Sequence, residues 1–244
     1  MCTVIIHVPE RAEHATRMLA VRDEDPTRPW DAPGPWWPDE YPEVIGVRDR
    51  RANGAWLAED SPAGRLAVIL NRDVLSVPDG SLESRGGIVL ASVSGESLPQ
   101  RPRTAGFNLV EVAGPRAWVT IWDGLRLRRE QLEPGVHMIS HDEVDDPRTA
   151  RIVRWLPDYR ELTQQQGPDM AFEQWAHQWV AVLSASSALG PFDDRAIIRD
   201  NHPHGYPTMS LLVCVAEIRA ERVQLASAVL PEPGVWAEAP FVLA

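Results

Sequence analysis

Short apolar segments bounded by glycine, proline and aspartate recur along the chain, and they constrain its fold more than any other feature. Alternating or continuous apolar runs of this length are typical of β-strands. Nine segments fit: residues 2–8, 17–23, 54–59, 65–71, 106–113, 116–122, 136–140, 208–217 and 222–230. Glycine- and proline-containing turns, as at 61–64 and 113–115, are predicted between several of them. The chain is therefore predicted to be rich in strands.

Three further segments, near 85–94, 147–156 and 168–186, have helical patterns. The second starts with Asp146-Pro147, and proline is favoured in the first turn of a helix. The third is the clearest, because large apolar residues recur at helical spacing from Phe172 to Val182. Many strands without regular strand–helix alternation predict an α+β fold of stacked antiparallel sheets covered by helices. No linker divides the 244 residues, so we expect one domain, 1–244.

Composition and charge exclude several classes of protein. The formal net charge of -11 argues against a nucleic-acid partner and an anionic membrane surface. All 24 basic residues are arginine, which excludes Schiff-base chemistry on lysine. The two cysteines form no disulfide framework, and no apolar run reaches the length of a membrane span. The N-terminal residues also lack the pattern of a signal peptide. Together these features predict a cytoplasmic protein that is not inserted in a membrane.

Residues 25–43 interrupt the strand pattern with six prolines and four aromatic residues. Such a segment is not expected to form a helix or a central strand. Structural packing against the body and one wall of a ligand pocket are equally open interpretations. In the second, Trp30, Trp36 and Trp37 line a hydrophobic substrate site.

The chain begins Met1-Cys2-Thr3, and the small second residue invites removal of the initiator methionine. Cys2 would then carry a thiol nucleophile and, in its α-amine with a pKa near 8, a base. This is the chemistry of N-terminal-nucleophile hydrolases. The alternative is that Cys2 is a small buried residue opening an edge strand, a common fate of free cysteine. Cys214, inside an apolar run, is expected to be inert core.

Several motifs along the chain resemble the NRDE family, which includes transport and Golgi organisation protein 2. The main one is Leu19-Ala-Val-Arg-Asp-Glu24, followed by Arg28-Pro-Trp30. The supporting matches are Met1-Cys2, 54–58, Leu70-Asn71, 106–109 and 210–213. The resemblance implies a four-layer αββα N-terminal-nucleophile fold, also similar to choloylglycine hydrolases, in which a terminal cysteine cleaves linear amides. Val21, His141 and Pro207 replace an asparagine, an asparagine and an arginine of the family pattern.

A terminal-cysteine hydrolase needs a carboxylate to hold its α-amine and a donor to the oxyanion. Asp23 and Asn71 are candidates for these roles, and an ordinary turn residue is the alternative for each. Arg22 is a further catalytic candidate. Neighbouring side chains of a strand point to opposite faces, so Arg22 and Asp23 both reach Cys2 only at a bulge or strand end. A structural ion pair with Glu24 is the other interpretation of Arg22.

His141 is a candidate substrate-binding residue, because imidazole is both a base and a donor, although the sequence favours a surface loop histidine beside Asp142. Asp200-Asn-His-Pro-His204 matches no standard zinc spacing and is interpreted as a loop, so no metal and no cofactor is expected. Two functions remain open. The first is hydrolysis of a C–N amide bond in a small or acylated substrate. The second is non-catalytic carriage of a hydrophobic ligand, for which the resemblance implies haem.

Overall fold

A computed structural model describes residues 2–72 and 82–244, and its strands form two antiparallel sheets. In chain order the strands are β1 (Thr3–Val8), β2 (Thr16–Glu24), β3 (Trp30–Gly34), β4 (Val44–Asp49), β5 (Gly54–Asp60), β6 (Arg65–Asn71), β7 (Phe107–Ala113), β8 (Arg116–Trp122), β9 (Leu127–Gln131), β10 (Gly135–Ile139), β11 (Met209–Arg219), β12 (Arg222–Val229) and β13 (Val242–Leu243). The first sheet has the order β10-β1-β2-β11-β12-β13, and the second runs from β3 to β9 in sequence order.

Helices cover the outer face of each sheet and complete four layers. Helix α1 (Gly86–Val93) packs on β5 and β6, whereas α2 (Ala150–Gln165) and α3 (Phe172–Ser187) lie on the first sheet. The alternation along β1 shows the layering: Val4 and Ile6 belong to the core between the sheets, and Ile5 to the core beneath α2 and α3. The expected α+β sandwich with antiparallel sheets is confirmed.

All nine predicted strands are present, within a few residues of the expected bounds. The structure adds β3, β4, β9 and β13. Strand β3 lies within the proline-rich segment 25–43 and includes Pro33, which is tolerated because β3 is an edge strand. Strand β9 was not predicted because its five residues are mostly charged and none is buried. No helix among the described residues is long and apolar enough to cross a membrane.

The predicted helices are also present, but the expected bounds of the second, 147–156, were wrong. Helix α2 begins at Ala150, after Thr149, and continues past Pro157 to Gln165. Proline removes one backbone donor and leaves a carbonyl one turn earlier unpaired. Both Pro157 and Val153, the residue one turn earlier, are exposed. Water can therefore satisfy that carbonyl, and the helix continues.

Glu59 carries a buried carboxyl group between the sheets, 4% exposed, and its Oε2 has no hydrogen-bond partner among the described residues. Burial, and then the neighbouring Asp60, raise its pKa from 4.5 to about 8. Between these values the folded protein keeps a proton that the unfolded chain releases. We therefore expect the free energy of unfolding to fall as pH rises from about 4.5 to about 8, by up to about 1.4 kcal/mol per pH unit.

Urea denaturation at several pH values tests this expectation. Glu59→Gln should remove the decline and unfold at a higher urea concentration than the parent at pH 8. Glu130→Gln, on the exposed strand β9, is the matched control and should follow the parent. The same pH slope in the parent and in Glu59→Gln would show that Glu59 does not titrate in this range.

Candidate active site

Cys2 lies immediately before β1, in the core between the sheets, and is 6% exposed. Its Sγ accepts a hydrogen bond from the backbone N–H of Asp23 at 3.3 Å, and the Asp23 carbonyl oxygen lies 3.6 Å from the same sulfur. The hydroxyl of Ser140 donates to the Cys2 carbonyl at 3.4 Å. The thiol is therefore held against the end of β2.

The Asp23 carboxylate is buried and is held by two side chains distant in sequence. Ser210 Oγ donates to Oδ1 at 2.6 Å, and Asn201 Nδ2 donates to Oδ2 at 3.1 Å. Asn201 Nδ2 also lies 3.1 Å from the carbonyl oxygen of Thr208, which fixes the orientation of the amide. Asn201 Oδ1 is consequently left as a buried acceptor with no partner among the described residues. The Asp23 carboxylate is thus fixed by side chains from two segments that follow it by nearly 180 residues or more.

A β-bulge on β11 makes this arrangement possible. Ser210 pairs with Asp23 and Leu212 pairs with Arg22, so Leu211 is the extra residue. Without the bulge, Ser210 and Leu212 would share one face of the sheet. With it, Ser210 reaches the Asp23 carboxylate while Leu212 lies in the core between the sheets.

Arg22 is 2% exposed and packs its guanidinium over the ring of Trp30, with 5.2 Å to the centroid. Its Nη2 lies 3.3 Å from Glu24 Oε2, so the predicted ion pair is present. Its Nη1 is buried with no partner among the described residues. Arg22 lies close enough to affect the ionisation of Cys2. The ion pair therefore leaves one guanidinium donor unused near the thiol.

Two more arginines, the buried Arg151 and the partly exposed Arg85, contribute positive charge near Cys2, and sequence reasoning missed both. Arg151 of α2 donates to Thr3 Oγ1 at 2.9 Å, and burial lowers its pKa to about 10. Arg85, the residue before α1, donates to the Gly106 carbonyl at 2.9 Å. Burial lowers the pKa of Arg85, and the nearby Cys2 opposes that shift.

A pair of glycines sets where α1 begins. A Cβ on Gly54 of β5 would lie 2.5 Å from the Cα of Gly86, and a Cβ on Gly86 would lie 2.7 Å from the Cα of Gly54. The backbones of strand and helix therefore touch at this point. The contact places Arg85 at the edge of the site.

Burial raises the pKa of both cysteine thiols. Burial, followed by the charge of Asp23, raises the pKa of the Cys2 thiol, whereas the Arg22 guanidinium lowers it. Burial alone raises the pKa of Cys214, which is fully enclosed, to about 12. A reaction at Cys2 therefore needs a base close to the sulfur to take its proton.

Asn71 closes β6, and its side chain is exposed. By strand alternation it shares a face with Glu111 of β7, which accepts a hydrogen bond from Ser92 of α1. Asn71 thus lies on the α1 face of its sheet, away from the interior that holds Cys2. A different asparagine, Asn108, is fully buried and donates to the Ser140 carbonyl at 2.9 Å.

His141 is adjacent to the site through Ser140. Its Nδ1 lies 3.1 Å from Ser140 Oγ, and its Nε2 lies 3.2 Å from an Asp142 carboxylate oxygen. Because Ser140 also contacts the Cys2 carbonyl, the histidine is connected to the backbone of the candidate nucleophile. The side chain of His141 is 20% exposed and therefore partly open to solvent.

The loop tryptophans lie in different environments. Trp37 is buried and donates to the Asn53 carbonyl at 2.8 Å. Trp36 is half-buried, donates to the Ala32 carbonyl and stacks under Arg48. Trp30, through Arg22, is the one that contacts the site. Packing against the protein therefore accounts for Trp36 and Trp37.

The segment 200–204 forms a short 3₁₀-helix at His202–His204, as part of the predicted loop. His202 pairs with Asp200, and His204 Nε2 lies 2.9 Å from Arg199 Nη2. Across residues 2–72 and 82–244, no group of three histidine, cysteine or acidic side chains is arranged to hold a metal ion. Asn201, next to these histidines, is the residue of this segment that reaches the site.

The chain matches a known protein family over most of its length. No match was found among curated proteins. A family model described as Transport and Golgi organisation 2 matches residues 1–214, a range that includes Cys2, Asp23, Asn201 and Ser210. The match spans far more than half of the 244 residues. The chain therefore belongs to the Transport and Golgi organisation 2 family.

Proposed function

We propose that this protein, once Met1 is removed, hydrolyses a C–N amide bond in a small or acylated substrate with Cys2 as nucleophile. The observation that carries the proposal is the placement of Cys2 against Asp23. The sulfur accepts the Asp23 backbone N–H, and the Asp23 carboxylate is buried and fixed by Ser210 and Asn201. A turn carboxylate with no role in a site would not be expected to be enclosed by two distant partners.

The thiol of Cys2 and the carboxylate of Asp23 lie on opposite faces of the first sheet, and this arrangement supports a role for a free amine at Cys2. The sulfur lies in the core between the sheets, whereas the carboxylate of Asp23 lies on the face of α2, where it acts on Arg151. Extending the β1–β2 register by one residue places Cys2 opposite Arg22, so we expect the Cys2 backbone nitrogen to lie between these two faces. A protonated amine there would be held by the Asp23 carboxylate, and Asn201 Oδ1 offers a further buried acceptor.

The reaction follows from this arrangement. The neutral α-amine takes the thiol proton, and the sulfur forms a bond to the amide carbon, whose carbonyl oxygen becomes negative. The protonated amine then gives its proton to the leaving nitrogen as the C–N bond breaks, which leaves a thioester. A water molecule, deprotonated by the same amine, attacks the thioester, and the thiol is restored as the acid departs.

The guanidinium groups of the buried Arg22 and the partly exposed Arg85 favour the anionic states of this reaction. Arg22 and Arg85 both act on the Cys2 sulfur, and the free Nη1 of Arg22 is a donor for developing negative charge. We leave Asn71 out of this proposal because its exposed side chain lies on the other face of its sheet. Asn71→Ala is accordingly expected to change the rate little.

Intact mass measurement of the purified chain tests the requirement for a free amine at Cys2. We expect a mass lower than that of the full sequence by one methionine residue, because the aminopeptidase accepts a small second residue. The acylated form trapped during turnover should carry its added mass on the Cys2 peptide. A homogeneous protein that keeps Met1 and still hydrolyses the substrate would contradict the proposed mechanism.

A further inference from the structure

A cavity of about 670 Å³ lies on the helix-covered face of the first sheet, between α3 and the C-terminal residues 231–244. Val215 of β11 and Ala226 of β12 form its floor. Trp236 and Phe241, both from the C-terminal segment, form one wall. Its size lies within the range of pockets that hold small molecules, roughly 300–1,000 Å³.

Helix α3 leaves this space open because the flank towards the C-terminal segment has small side chains. Its large residues Trp175, Trp179 and Leu183 are fully buried against the sheet and α2. The flank that lines the cavity is spaced by three or four residues, as one side of a helix requires. It consists of Glu173, Ala176, His177, Val180, Ala181 and Ser184. The alanine and serine side chains at three of these positions are too short to reach the opposite wall.

Apart from His177, the ionisable side chains that line the cavity are both carboxylates. Glu173 and Glu238 line the cavity and are exposed, and neither forms an ion pair among the described residues. All 24 basic residues of the chain are arginine, yet no arginine is among the described residues that line this cavity. An apolar interior with unpaired carboxylates at its opening complements a molecule with an apolar chain and a positive end.

We propose that this cavity binds a long-chain amine, with its alkyl chain against Ala176, Ala226 and Phe241 and its ammonium group beside Glu173 and Glu238. The site is separate from the proposed catalytic site. Cys2 lies in the core between the sheets, whereas the cavity opens on the opposite face of the first sheet. Binding therefore does not depend on amide hydrolysis, and Cys2→Ser should bind the amine as the parent does.

Isothermal titration calorimetry with dodecylamine, below its critical micelle concentration, tests the proposal. Dodecanoate has a chain of the same length with the opposite charge, and we expect it to bind at least about 10-fold more weakly. Glu173→Gln combined with Glu238→Gln should weaken amine binding about 5-fold, because exposed charge pairs contribute little each. Equal affinity of the parent for the amine and the carboxylate would overturn the proposal.

Variants of unchanged charge exclude non-specific attraction of the amine to this acidic protein. Ala176→Leu fills the cavity from α3 and should weaken binding at least about 10-fold. Ala185→Leu, at an exposed position of the same helix outside the cavity, is the matched control and should bind within about 2-fold of the parent. Phe241→Ala, in the partly exposed C-terminal segment, removes one wall of the cavity and should weaken binding about 5-fold. Unchanged binding in both Ala176→Leu and Phe241→Ala would place the amine elsewhere.

Discussion

Cys2→Ser is expected to lower the rate of amide hydrolysis by about 10³-fold or more, with little effect on the fold. The substitution exchanges one atom in a site where the side chain is already enclosed, so packing around it changes little. A hydroxyl ionises several pH units above a thiol, so the α-amine cannot remove its proton nearly as readily. A 10³-fold loss corresponds to about 4 kcal/mol of transition-state stabilisation.

The parent and the variant are incubated with a panel of N-acyl amino acids, and mass spectrometry measures the rate at which the amine is released. Cys214→Ala is the matched control, since it removes the other buried cysteine, whose enclosed thiol has its pKa raised to about 12. This control should retain the rate of the parent. Hydrolysis at an unchanged rate in Cys2→Ser would exclude Cys2 as the nucleophile.

Asp23→Asn is expected to lower the rate about 10²-fold or more and to destabilise the protein. The amide side chain lacks the charge that would hold the protonated α-amine. It also leaves the buried Arg151 without the negative charge that favours its ionised form. Removing one member of a buried charge pair typically costs about 3–5 kcal/mol of unfolding free energy.

The rate and the free energy of unfolding are measured together, at a temperature where the variant is folded. Asp25→Asn is the control, because Asp25 lies in the following turn, where its carboxylate accepts from the Thr27 N–H and hydroxyl. That variant should keep the rate of the parent. A folded Asp23→Asn protein with full activity would remove Asp23 from the mechanism and leave its buried contacts with a structural role alone.

The strands and helices that the sequence predicted are those whose apolar residues are buried on one face or on both. Strand β1 alternates between two cores, and α3 places Trp175 and Trp179 on one side, so both patterns are visible in sequence. Strand β9 has no such pattern because both of its faces are largely exposed at the edge of the second sheet. The edge position of β9 therefore explains why this strand was missed. Solvent access to Pro157 and Val153 explains why α2 continues past the proline.

The candidate site was predictable where its residues are local, and not where the fold supplies partners. Cys2 directly precedes β1 and Asp23 lies in β2, and the pairing of β1 with β2 brings them together. Asn201 and Ser210 are nearly 180 residues or more from Asp23, and a single extra residue on β11 determines which way Ser210 points. No pattern within 209–219 distinguishes that bulge from a regular strand, so these contacts required the structure.

The contact between Gly54 and Gly86 determines how close Arg85 lies to Cys2, and therefore how strongly its positive charge acts on the thiol. Any side chain at either position would force β5 and α1 apart and carry Arg85 away from Cys2, because Arg85 directly precedes Gly86. A random mutational library selected for activity should therefore be depleted of substitutions at both glycines as strongly as at the nucleophile. Tolerance to mutation in this protein depends on backbone proximity as well as on reactive groups.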